Sequence, residues 1–413
     1  MAGQIKSAPV ENSPRRRLAA AAIVAVGACF VLGIYALTID DKNACGRDYI
    51  QYWAAEQQLA HHANPYDIDA IYRLEKSRGL EEDSPKVTFS PPVAFELALP
   101  LGYMGAKSGL LLWLAVLLAC EGLSMWVLWT MHGRPDSRLH VFVFGFPPIL
   151  ACLMAGQLGI FFLLGVALFL WLHKARPWLA GAALLSCALK PHLFLPCVVV
   201  LLLWSVRRRS FAVIGGFILA LAVSSGLTLA LDGQAWQQYF DMMRSTRVLD
   251  VFIPTLAVAL RFAIDRGAHW IEFVPETLAC VWAVWYYAAR RDRWEWGREG
   301  LLVLLVSAVC TPYSFFSDQA VLFPAILAGM YAAGKNVIAW VLLALIVAGS
   351  MVGVVAAIQL PSPFYLWTAP AWLAWYLYGA PGRAHSLGGG SPLHTRQGEV
   401  LAKRQGCPSR GGI

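Results

Sequence analysis

Four short polar motifs interrupt an otherwise apolar chain, and their residue types are those of proton transfer and phosphate binding. They are Asp48 in Gly46-Arg47-Asp48-Tyr49, Gln157 in Ala155-Gly156-Gln157-Leu158, Lys190 and His192 either side of Pro191, and Asp318 at the end of Thr311-Pro312-Tyr313-Ser314-Phe315-Phe316-Ser317-Asp318. Polar side chains at membrane depth are costly, so those that persist are candidates for function. A carboxylate such as Asp48 can take a proton from a hydroxyl. A lysine or histidine can hold a phosphate, by point charge or by hydrogen bond. Base and phosphate clamp at the end of an apolar groove are what attack on a lipid-phosphate-linked sugar requires. The lysine neutralises the leaving phosphate, the aspartate deprotonates the incoming hydroxyl, and one displacement inverts the anomeric carbon.

Each motif also has a plain structural reading. Asp48 suits the N-cap of a helix starting at Tyr49. Gln157 can close a tight helical hairpin, and Asp318 can cap the next span. Lys190 could snorkel to headgroups, although its proline neighbour breaks the helix. Asp40 and Asp41 are further candidates for the base, without the tyrosine and aromatic run that follow Asp48. Asp67-Ile68-Asp69 has the spacing to hold a divalent cation, or to form a turn and helix cap after Pro65. The nine cysteines are scattered, with no CxxC and no histidine cluster at metal spacing, and read as small buried hydrophobes. No metal site and no cofactor is expected.

The elements that must position these residues are membrane helices. In 413 residues, 58% are hydrophobic and only 14% charged, with a mean hydropathy of +0.56. Soluble globular domains carry about 25% charged residues. This composition excludes a soluble enzyme, a nucleic-acid binder and a disordered chain. Apolar runs fall at about 18–38, 108–131, 139–155, 158–173, 177–190, 192–206, 211–231, 270–289, 299–312, 319–333, 337–358 and 364–380. The expected fold is therefore all-α, with about twelve spans and a range of ten to thirteen; the shorter runs suggest half-helices.

The net charge of +8 reads as topology. Residues 1–17 end in Arg15, Arg16 and Arg17, and the run after them lacks a usual cleavage site, so it is expected to stay as a first helix with its N-terminus in the cytoplasm. Alternating the spans from there puts the clusters Arg134/Arg138, Lys174/Arg176, Arg207/Arg208/Arg209 and Arg290/Arg291/Arg293/Arg298, together with Lys335 and the basic tail, on the cytoplasmic side. The transmembrane domain is expected at 18–382 and a disordered cytoplasmic tail at 383–413. All four polar motifs then fall at the outer ends of helices. The first outer loop, 39–107, is the longest polar stretch and rich in acids. Amphipathic helices lying in the outer interface are expected at Tyr49–Ala60, 90–104 and 251–264.

The order of motifs resembles glycosyltransferase family 87. The residues that carry the resemblance are Asp48-Tyr49 with Tyr52-Trp53-Ala54-Ala55, Asn64-Pro65-Tyr66-Asp67, Ser90-Pro91-Pro92-Val93-Ala94-Phe95, Gly156-Gln157-Leu158-Gly159, Ala188-Leu189-Lys190-Pro191-His192, and Thr311-Pro312-Tyr313-Ser314 with Asp318. The resemblance runs over about 40–330. It implies a GT-C-like membrane enzyme that moves a hexose, with mannose the best-known donor sugar, from a polyprenol-phosphate donor to a lipid or glycan acceptor. Inversion at the outer face of a bacterial-type plasma membrane would use Asp48 as general base. Lys190 and His192 would bind the donor phosphate, and Tyr49, Tyr52, Asn64, Tyr66, Gln157, Tyr313 and Asp318 the substrates. The family's later motif often carries a histidine; here 314–318 has none.

Other classes remain open at this level. A transporter also has many spans and interrupted helices, but this chain shows no internal repeat and gathers its polar motifs on one face. A ligase or flippase of lipid-linked glycans would meet the same lipid with different chemistry. The expected partners are a polyprenol-phosphate-linked sugar, a lipid or glycan acceptor and membrane lipids, with no nucleic acid.

Overall fold

Where the chain runs apolar without interruption it forms long helices, because a segment in a bilayer must satisfy its own backbone hydrogen bonds. The computed structural model describes residues 40–245 and 252–379, apart from the side chains of Asp41 and Glu96, and these residues form helices and no strand. The apolar run at 18–38, the segment before it and the tail from 383 lie outside the described residues. In chain order the main helices are α1 (Tyr49–Ala60), α2 (Ile68–Ser77), α3 (Ala106–Met131), α4 (Pro147–Ala155), α5 (Gly159–Leu172), α6 (Pro177–Ala183), α7 (Leu195–Arg208), α8 (Ala212–Leu231), α9 (Ala235–Ser245), α10 (Leu256–Ile264), α11 (Phe273–Arg290), α12 (Leu301–Cys310), α13 (Phe323–Ala333), α14 (Val337–Val355) and α15 (Thr368–Gly379).

Among the described residues, Ala106–Met131, Pro191–Arg208, Ala212–Leu231, Phe316–Ala333 and Val337–Val355 are long and apolar enough to cross a membrane. The pair Arg138–Gly145 and Pro147–Ala155, bent by 41°, makes at most a sixth. The expected count of about twelve is not reached on length and composition. The shorter apolar runs are instead broken into pieces. The run at 177–190 becomes α6 followed by a 3-10 stretch, Leu184–Leu189, that ends before Pro191. Such irregular backbone persists at membrane depth only where protein surrounds it.

That surrounding is provided by α5, which carries no charge and is buried along most of its length. It packs against α3, α6, the 3-10 stretch and the 3-10 turns Phe316–Leu322. Apolar side chains of the peripheral helices remain exposed, among them Ile218, Val223 and Leu227 of α8, Leu278 and Val281 of α11, and Leu345 and Val352 of α14. A belt of this kind suits contact with lipid.

The polar stretch before α3 departs from expectation. Helix α1 forms over the expected residues but has no free apolar face to lay on a membrane: Tyr49, Ile50, Trp53, Ala54 and Ala55 are all completely buried in protein. It is clamped against the 3-10 turns Leu99–Tyr103, where Trp53 Nε1 donates to the Met104 carbonyl at 2.8 Å. The amphipathic helix of this loop is α2, which buries only Ile71 and Glu75. The stretch 90–104 breaks into single turns at its prolines, and the third expected interfacial helix is helical only over Leu256–Ile264.

Candidate active site

Three breaks in helical structure bring the polar motifs together. The first is the end of α4. Gly156 has φ +72°, the left-handed conformation that glycine tolerates and other residues resist, and it stops the helix. A side chain there would also collide with Tyr49, whose Cβ would sit 2.6 Å from the added carbon. The Gly156 carbonyl accepts from Trp113 Nε1 at 2.8 Å, fixing the turn. Gln157, next in the chain and buried, donates from Nε2 to Asp48 Oδ2 at 2.8 Å. Its Oε1 accepts from the Tyr52 hydroxyl at 2.9 Å.

Asp48 occupies the N-cap position of α1, but its side chain makes no capping bond. Its second oxygen lies 3.8 Å from the Lys86 ammonium, which also pairs with Glu82 at 3.0 Å and donates to the Gly46 carbonyl at 2.9 Å. Arg47 donates to the Met154 carbonyl, tying the loop to the end of α4.

The second break is at Pro191, which lacks the N–H a continuing helix would need. Lys190 sits between two 3-10 turns there and points into the protein. The third break follows α12, where Pro312 and Tyr313 precede the turns that carry Asp318. Lys190 Nζ donates to both Asp318 oxygens, at 2.9 and 2.8 Å. Asp318 is wholly buried and also accepts from the Phe315 amide at 2.8 Å. The ammonium lies 5.4 Å from the Tyr313 ring and 5.1 Å from the Phe315 ring. His192 meets Tyr313 edge to face at 5.6 Å, and its buried Nε2 has no hydrogen-bond partner among the described residues.

Three cavities meet this constellation. One of about 720 Å³ is lined by Tyr52, Gln157, Lys190, His192, Tyr313 and Phe315, and also by Trp236, Tyr239 and Glu272. A second, of about 450 Å³, shares Ala188, Pro191 and Phe217 with the first and runs between α5, α7, α8 and α12, with an apolar lining that includes Val198, Leu202, Ile218 and Trp296. Asp48 faces a third, of about 390 Å³, together with Arg47, Lys86, Met154, Ile358 and Leu360. The Asp48–Gln157–Tyr52 chain of hydrogen bonds therefore connects the third cavity to the first.

Of the residues singled out in the sequence, Asp48, Tyr52, Gln157, Lys190, His192, Tyr313 and Asp318 gather here. Asp318 does so from behind Lys190. Tyr49, Asn64 and Tyr66 line none of these cavities. Tyr49 donates to the Ala106 carbonyl at 3.3 Å, Asn64 Oδ1 accepts from the Tyr66 amide at 2.9 Å, and Tyr66 donates to the Ser90 carbonyl at 2.9 Å. Asp40 and Asp67 are helix caps, accepting from Asn43 and Ala70 amides at 2.7 and 2.9 Å. Among the described residues no group of three His, Cys, Asp or Glu side chains is placed to hold a metal. Sequence reasoning missed Lys86, Trp236, Tyr239, Arg261 and Glu272. Arg261, a charge inside the amphipathic stretch 251–264, and Glu272, a charge inside the apolar run 270–289, carried signals that could have found them.

Residues 89–312, more than half of the chain, match the model of glycosyltransferase family 87. The chain belongs to glycosyltransferase family 87. The matched segment contains Gln157, Lys190 and His192, while Asp48 and Asp318 flank it on either side. No curated protein and no solved structure matches. Membership in family 87 makes this chain a membrane glycosyltransferase, which takes a sugar from a donor and hands it to an acceptor. A buried ammonium with an imidazole beside it, and a carboxylate across a shared wall, are groups such a transfer can use.

Proposed function

We propose that this glycosyltransferase moves a hexose, with mannose the first expectation, from a polyprenol-phosphate donor to a lipid or glycan acceptor at the outer face of a bacterial-type plasma membrane, inverting the anomeric carbon. The observation that carries the reading is a buried ammonium at the head of an apolar groove: Lys190 lines the large cavity, and the adjoining groove past Pro191 is lined by hydrocarbon. A phosphate joined to a long isoprenoid chain has the matching division of charge and hydrocarbon. In this reading the chain lies along α7, and the phosphate meets Lys190 and His192.

The acceptor hydroxyl enters from the cavity that Asp48 faces. Asp48 takes its proton as the oxygen attacks the anomeric carbon, and the bond from that carbon to the phosphate oxygen breaks. The leaving polyprenyl phosphate keeps the electron pair, and its charge is met by Lys190. Gln157 holds one Asp48 oxygen in place and leaves the other toward the acceptor side. The basic cytoplasmic loops support the outward orientation of this end, with both termini inside.

The test incubates the purified protein in lipid with radiolabelled polyprenol-phosphate mannose and a lipid extract of the source cells, wild type beside Asp48→Asn. Label in a new product with wild type alone is expected. No transfer from mannose or any other polyprenol-phosphate sugar would overturn the donor assignment.

A further inference from the structure

The large cavity carries a second fixed charge, remote in sequence from every motif considered above. Glu272 is 2% exposed and forms part of the wall. Its Oε1 pairs with Arg261 Nε, and Arg261 is equally buried. The guanidinium is braced in turn: Nη1 donates to the Arg266 carbonyl at 2.8 Å and lies 3.0 Å from His269 Nδ1. Taking both charges out of water is costly and contributes little net stability, so a buried pair is weak evidence of a purely stabilising role. Two aromatic rings, Trp236 and Tyr239, line the same cavity and meet edge to face at 6.2 Å.

A carboxylate in this position repels phosphate but accepts hydrogen bonds from hydroxyls, and Arg261 compensates its charge. Flat aromatic faces in the same cavity can cover the apolar side of a sugar ring. We propose that Glu272, held by Arg261, is a specificity-determining residue that reads one or two hydroxyls of the donor sugar. This rests on the assignment of the cavity to a polyprenol-phosphate sugar. The anomeric carbon and its phosphate then lie toward Lys190, and the hydroxyl-bearing edge of the ring lies toward Glu272.

The test compares kcat/KM for the polyprenol-phosphate sugar that the wild type transfers with its single-deoxy analogues. A site built to hydrogen-bond a hydroxyl rejects the analogue that lacks it, so the wild type should disfavour one or two neighbouring deoxy donors by ~10²-fold or more. Glu272→Leu should lower the parent donor to about the level of those analogues while leaving the analogues almost unchanged. Because that variant leaves Arg261 without its carboxylate, Arg261→Met combined with Glu272→Leu is measured beside it; replacing a whole buried pair by apolar groups commonly preserves the fold. The same loss of discrimination is expected. An equal fall for all donors would make the pair a structural brace and overturn the proposal, as would a wild type indifferent to every deoxy donor. Failure of the wild type to transfer any polyprenol-phosphate sugar would instead overturn the donor assignment and this inference with it.

Discussion

Gln157 and Asp48, 109 residues apart in the chain, are joined by a hydrogen bond of 2.8 Å from the amide nitrogen to one carboxylate oxygen. The amide's own oxygen accepts from Tyr52, so its orientation is set from the other side. A carboxylate fixed at one oxygen presents the other in a defined direction, which is what a general base needs.

Asp48→Asn should abolish transfer while the protein folds as before. The substitution keeps the shape and removes the basicity, and loss of a general base costs ~10²–10⁴-fold. Asp48 makes no capping bond to α1, so the substitution removes none. Transfer rate and melting temperature, measured on one preparation, check both halves; a fall in melting temperature with activity kept would make the Asp48 charge structural and remove it as the base.

Gln157→Leu should leave the fold intact and lower kcat by ~10–10²-fold, because misplacing a reacting group by about 1 Å is enough for such a loss. Steady-state kinetics with each substrate varied in turn would read it. A change confined to donor KM would mean that Gln157 contacts the sugar and does not act through Asp48.

Lys190 and Asp318 form a buried pair, so removing either partner alone strands the other charge. Lys190→Met or Asp318→Leu alone should each lower stability by ~3–5 kcal/mol. The double variant Lys190→Met with Asp318→Leu should recover most of that stability in thermal unfolding in detergent, without recovering transfer. Restored transfer in the double variant would remove Lys190 from the phosphate role.

Glu75 of α2 lies outside the membrane helices and is fully buried. Burial pushes its carboxyl up from 4.5 to about 7, although it accepts the Lys86 amide at 3.0 Å. The native state holds the proton more tightly than the unfolded chain. This contribution to stability, on the order of 3 kcal/mol, is therefore fully present below pH 4.5 and lost as the pH rises to about 7. Melting temperatures between about pH 5 and pH 8 should fall in the wild type and flatten in Glu75→Gln. An unchanged slope in the variant would assign the pH dependence to other groups.

The membrane class, the helical fold and the polar motifs at the centre of the site were legible in the residues alone. The physical reason is cost: against so apolar a background, an aspartate, glutamine, lysine or histidine beside a glycine or proline break is expensive to keep, and therefore visible. Local pattern reports which faces of a helix are apolar and says nothing about what covers them. It therefore read α1 as lying in the interface, whereas packing against the turns at Leu99–Tyr103 buries it. It also offered Asn64 and Tyr66 as substrate contacts, where the Asn64 amide oxygen closes a turn and the Tyr66 hydroxyl bonds the Ser90 carbonyl. Asp318 does cap its turns, through the Phe315 amide, but only the fold brings Lys190, 128 residues away, onto both its oxygens. Arg261 stood in an expected interfacial helix and Glu272 near the start of an apolar run, and neither pattern says that the two pair. Their burial beside the large cavity exists only once α10 and the 3-10 turn His269–Glu272 have packed together, because a carboxylate's environment is set by the neighbours that folding brings to it.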